Sequence, residues 1–149
     1  MRQPLSVSTD RIALPAMRAA SLVSGLPDRV PLDGSGVILE VYPAAALRRW
    51  GHASRGYKGP GKLEVRRILV SGFLAETEEW LNVDGQQVDL CIRSDDAFDA
   101  LVAALVARAF SFDRVEPIPF EDREAASREG WIAVPLTGSL ELLGNPAGT

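Results

Sequence analysis

Leu63, Val70, Phe73, Leu74, Thr77 and Leu81 recur at the spacing of one helical face, which predicts a core-facing helix over 62–81. The same periodicity leaves Lys62, Arg66, Glu76 and Glu79 for solvent. A second helix is expected over 97–110. Ser94 is placed to cap it, and Asp95 and Asp96 follow in a first turn that favours acids. Shorter helices are expected from Ala44 to Trp50, opened by Pro43 at a permitted first-turn position, and from Glu121 to Arg128. An early helix runs through Met17, Ala20 and Leu22 to Gly25, either capped by Thr9 and Asp10 or beginning at Pro15. Residues 1–8 read as an irregular lead-in, 26–36 and 51–60 as loops, 82–93 as turn mixed with short extended chain, and the residues after 144 as a loose tail.

Extended segments are scarce. The run Val37-Ile38-Leu39-Glu40-Val41-Tyr42, between Gly36 and Pro43, has the β-branched apolar character of a buried strand in an α/β sheet. Trp131 to Val134, ending at Pro135, is the other candidate. Two strands make a marginal sheet, and a buried parallel-type strand needs neighbours on both edges. Three explanations stand open: strands missed by the pattern, a sheet completed by another chain, or a piece of a longer domain.

The chain has 149 residues, enough for one core. Hydrophobic residues make up 46% and charged residues 24%, ordinary globular usage. Sixteen basic against 20 acidic side chains leave a net charge of -4, the reverse of a strongly basic nucleic-acid binder. A nuclease is not excluded, because acidic clusters offset basic grooves in the sum. With Cys91 as the single cysteine and His52 as the single histidine, an internal disulfide, a multi-cysteine metal site and a histidine-rich zinc centre are all excluded. No apolar run approaches a membrane span and residues 1–8 carry no signal-peptide core. A reduced, cytoplasmic protein without membrane contact is expected.

Candidate chemistry concentrates at Asp95-Asp96-Ala97-Phe98-Asp99. Asp96 and Asp99 stand three apart on a helix and Asp95 and Asp99 four apart, so either pair can project on one face. Magnesium takes a few hard carboxylate oxygens with water and phosphate completing its shell, and paired ions suit phosphodiester hydrolysis. A plain helix start explains Asp95 and Asp96 equally well. Asp99 lies beyond the first turn and heads an apolar segment, where a carboxylate is costly unless solvated or liganded. Glu40 interrupts an apolar strand and invites a metal or a partner, or else marks an edge facing water.

Gly56-Tyr57-Lys58-Gly59-Pro60-Gly61-Lys62-Leu63 approaches a P-loop but puts Leu63 where the Mg²⁺-binding hydroxyl belongs, with no strand before it. Lys58 and Lys62 still mark an anion site where the next helix opens. His52 has no serine nucleophile elbow to serve and is expected as an exposed loop residue. Cys91 reads as a small packed hydrophobe, and Trp50, Trp80 and Trp131 as packing at element ends.

Several segments together resemble one family. They are Leu5-Ser6-Val7-Ser8-Thr9-Asp10-Arg11-Ile12, Leu39-Glu40-Val41-Tyr42-Pro43-Ala44-Ala45, Gly56-Tyr57-Lys58-Gly59, the run from Asp96 to Arg108, and Glu129-Gly130-Trp131-Ile132-Ala133-Val134-Pro135. Their order is that of the domain-of-unknown-function 429 family, a group of predicted nucleases with an RNase H-like α/β fold. The resemblance implies an acid on the strand at Glu40 and a helix pair at Asp99 and Asp96, holding Mg²⁺ or Mn²⁺ as metal ligands and catalytic groups. It also implies that the Tyr57–Lys58 loop approaches a substrate phosphate. Family members begin with an aspartate-bearing strand that has no counterpart before residue 5. Residues 1–149 are therefore expected to be a single partial domain, the C-terminal portion lacking the N-terminal strands. The expected function is a metal-dependent nuclease or phosphodiesterase, incomplete and inactive as this chain. The rival expectation is a non-catalytic remnant binding nucleic acid or a protein, or self-associating, through an unpaired sheet edge. A small-molecule phosphohydrolase is a third.

Overall fold

The computed structural model describes residues 14–26, 30–31 and 33–145. The expected cap at Thr9 and Asp10, the lead-in 1–8 and the tail residues 146–149 lie outside them.

Helix α1 (Leu14–Ser24) is followed by β1 (Glu40–Val41), α2 (Pro43–Arg49), α3 (Leu63–Ala75), α4 (Gly85–Arg93), α5 (Asp95–Ser111), α6 (Arg123–Glu129) and β2 (Ile132–Ala133). Single 3₁₀ turns stand at Phe120–Asp122, before α6, and at Glu141–Gly144. The architecture is α/β, mostly helical, with one small sheet in which β1 and β2 run parallel, Glu40 opposite Ile132 and Val41 opposite Ala133.

Several local signals act as the pattern predicts. Pro43 opens α2 at its first turn, where its missing N–H costs nothing. Ser94 caps α5, its hydroxyl accepting from the Ala97 N–H at 3.2 Å.

Four expectations are corrected. The strand over 37–42 shrinks to Glu40–Val41, with Val37 94% and Tyr42 55% exposed. Only β2 pairs with it among the described residues, so the burial on both edges that such a run needs is not supplied. Helix α3 ends at Ala75 rather than 81. The buried Thr77 hydroxyl donates to the Phe73 and Leu74 carbonyls, and its N–H bonds Leu74 in the tighter three-residue step. Such back-bonding competes with continuation of the helix. Residues 85–93, read as turn and extended chain, form α4. Asp84 and Gln87 close a reciprocal capping box there, each side chain accepting from the other's backbone N–H. Arg66, assigned to solvent, is buried at 4% exposure.

The core lies where α2, α3, α4 and α5 meet. Leu47, Val70, Phe73, Phe98, Val102 and Val106 are all fully enclosed. Phe98 meets Phe73 edge-on at 5.5 Å and Tyr57 at 5.9 Å, the offset geometry that aromatic quadrupoles favour. This aromatic chain carries the loop before α3 onto the first half of α5. No helix among the described residues is long and apolar enough to cross a membrane.

Candidate functional site

The loop between α2 and α3 bends through Gly51, Gly56, Gly59 and Gly61, all at positive φ, the left-handed region in which glycine carries no Cβ penalty. Those bends lower Tyr57 into the core, at 1% exposure, while Lys58 remains outside. Helix α5 meets the loop with two acids one turn apart. The Tyr57 hydroxyl donates to Asp99 Oδ1 at 2.6 Å, and Lys58 Nζ donates to Asp99 Oδ2. The Gly59 N–H donates to Asp95 Oδ2 at 2.9 Å. Three consecutive loop residues are thus held by two carboxylates of one helix.

The electrostatics follow from that geometry. Burial, and then the hydrogen bond to Asp99, push the Tyr57 phenol well above its ordinary range. The Gly59 N–H, with lesser help from the charges of Arg66 and Lys58, holds the Asp95 carboxyl below its usual value. Burial raises the Cys91 thiol, as suits a packed hydrophobe.

Of the residues singled out by the sequence, Tyr57, Lys58 and Asp99 come together, joined by Asp95. Asp96 is exposed on α5 and makes no hydrogen bond or ion pair among the described residues. Glu40 is exposed on β1, lining a groove with Ala16, Ala19, Ala20 and Val23 of α1. Glu40, Asp96 and Asp99 are not gathered, and no three His, Cys, Asp or Glu side chains among the described residues stand close enough to share an ion. The expectation of an exposed His52 is corrected. Its side chain is 10% exposed, packed against the Phe73 ring at 5.1 Å with Nε2 3.3 Å from Glu76 Oε1. Trp50 is buried, its indole N–H donating to Ser139 Oγ at 3.0 Å. The residue that sequence reasoning missed is Arg66, which helical counting placed on the outer face. A weak signal existed, since a cation near the start of a helix sits against that helix's own dipole.

A family model described as "Protein of unknown function (DUF429)" matches residues 2–124. No curated protein and no solved structure matches the chain.

Proposed function

The chain belongs to the DUF429 family, and on that premise we propose that it is a domain of RNase H-like type directed at the phosphodiester backbone of nucleic acid. The working surface is the 55–62 loop where it is pinned to α5. One observation carries the reading. Lys58 is held on Asp99 with its side chain still 52% exposed, so its ammonium is oriented yet open to a phosphate. Arg55 and Lys62 are exposed on the same loop, which has no acid between them. A short basic segment of this kind meets a phosphate backbone through charge and backbone N–H groups.

The divalent ion implied by the family resemblance fits these residues poorly as they are arranged. Both Asp99 oxygens already accept hydrogen bonds, Asp95 Oδ2 is taken by the Gly59 N–H, and no three acids among the described residues cluster closely enough to share an ion. Binding of the backbone is therefore the part of a nuclease's work this geometry supports, and no hydrolytic step is derived.

The test is fluorescence anisotropy of short single-stranded and branched DNA and RNA over a salt series, with and without Mg²⁺ or Mn²⁺, and with cleavage followed in the same samples. Salt-sensitive binding, weakened across all sequences by Lys58→Ala with a salt slope shallower by about one, supports the proposal. Absence of binding at low salt sinks it. Metal-dependent cleavage that Asp99→Asn abolishes would replace the binding reading with the hydrolytic one.

A further inference from the structure

Arg66 stands near the start of α3, buried, and makes no salt bridge with a carboxylate among the described residues. Its guanidinium spends its donors on three carbonyls of two other segments. Nε donates to Ile92 O at 2.6 Å, Nη2 to Arg93 O at 3.0 Å and Nη1 to Tyr57 O at 2.8 Å. Ile92 and Arg93 are the last residues of α4, whose unpaired carbonyls and negative dipole end welcome a cation. A buried charge without such partners would be strongly destabilising. The planar fork suits three acceptors arranged around it, which an ammonium on a flexible stem cannot match.

The third bond is the informative one. Ile92 and Arg93 alone would make Arg66 a tether between α3 and α4. Tyr57 O belongs to the loop, one residue from Lys58 and two from Gly59, and the hydroxyl of this same Tyr57 reaches Asp99. The residue is therefore gripped at both ends, its carbonyl by Arg66 and its hydroxyl by Asp99. Asp95 and Asp99 follow α4 across the single residue Ser94. The guanidinium thus fixes the loop and the end of the helix that precedes the two acids with one rigid group.

We propose that Arg66 is the positioning residue of the site. By holding the Tyr57 carbonyl and the end of α4 together, it sets where Tyr57 and Lys58 meet Asp99. The proposal rests on reading the 55–62 loop as the working surface, but its readout uses no ligand.

The chain has two tyrosines, Tyr42 and Tyr57, so a Tyr42→Phe background leaves Tyr57 as the only phenol. Near-ultraviolet phenolate absorbance is followed as pH rises through and beyond 10.0, the ordinary tyrosine value, with far-ultraviolet circular dichroism confirming the fold at each point. In the parent background Tyr57 stays protonated where a free tyrosine has ionised. Arg66→Gln, if the proposal holds, frees the loop and brings the midpoint down by about one pH unit or more, a tenfold change in proton affinity. Arg66→Lys, keeping the charge without the fork, falls between. A folded Arg66→Gln protein with an unmoved Tyr57 midpoint would reduce Arg66 to a tether between helices and overturn the proposal. Failure of both variants to fold would overturn it too, by making Arg66 a requirement of the core. A parent that binds no nucleic acid would sink the proposed function and leave this titration untouched.

Discussion

The Tyr57 hydroxyl donates to Asp99 across 42 residues of chain, from the only fully buried side chain of its loop to the acid one turn beyond the start of α5. That bond closes the site, and it is a hydrogen bond to a charged acceptor, stronger than a neutral one. Tyr57→Phe keeps the ring against Phe98 and removes only the donor. It should lower stability by about 1–2 kcal/mol, read as a drop in the urea midpoint with unchanged slope.

The same phenol sets an alkaline limit. Its folded pKa lies above the ordinary 10.0, so the protonated form is favoured by folding. The corresponding stabilisation is fully present below pH 10.0 and is lost as pH rises through the folded value. The parent should lose stability on that side more steeply than Tyr57→Phe, in unfolding curves taken at a series of alkaline pH values.

Asp95 acts in the opposite direction. The Gly59 N–H depresses its folded pKa below 3.8, so its contribution is present above that value and fades as pH falls through the depressed one. Asp95→Asn should weaken the protein at neutral pH and remove this acid-sensitive part. Urea midpoints between neutral and strongly acid pH, parent against variant, measure the difference.

Phe98 has no exposed surface and joins the loop's tyrosine to Phe73 in the core. Phe98→Ala should cost about 3–5 kcal/mol by cavity formation and loosen Tyr57 with it. Thermal unfolding gives the first. The Tyr57 phenolate titration, moved toward its ordinary value, gives the second.

Gly144 passes beneath Trp80 so closely that a Cβ would lie 2.8 Å from the Trp80 Cβ and nearer still to the indole ring. The ring is also stacked by Arg108 at 5.5 Å. Gly144→Ala should therefore destabilise by about 1–3 kcal/mol. A variant as stable as the parent would show that Trp80 moves freely.

What sequence reading recovered is local. Pro43 and Ser94 mark helix starts for reasons within the first turn, Pro43 because it lacks an N–H that would be unpaired there and Ser94 because its hydroxyl accepts from the Ala97 N–H three residues on. The same holds for Asp84 and Gln87, whose capping box was present in the chain and went unread, so that α4 was missed. Thr77 looked like one more position on the helical stripe, yet its hydroxyl competes for the carbonyls of the turn before it and the helix stops early. Asp99 was singled out as a carboxylate in apolar company and Lys58 as part of an anion site, while Tyr57 was named only through the family resemblance. Asp95, four residues before Asp99, meets the same loop through the Gly59 N–H.

By itself, then, the sequence determined the family through its ordered motifs, the α/β class, and most of the helices, all of which rest on short-range periodicity and capping. Only the tertiary structure decided that Arg66 lies inside, that Asp99 takes Tyr57 and Lys58 as its partners, and that the loop carrying Lys58 is pinned to α5. Those facts depend on carbonyls and carboxylates brought from distant segments, and no spacing along the chain records which helix end a guanidinium will meet.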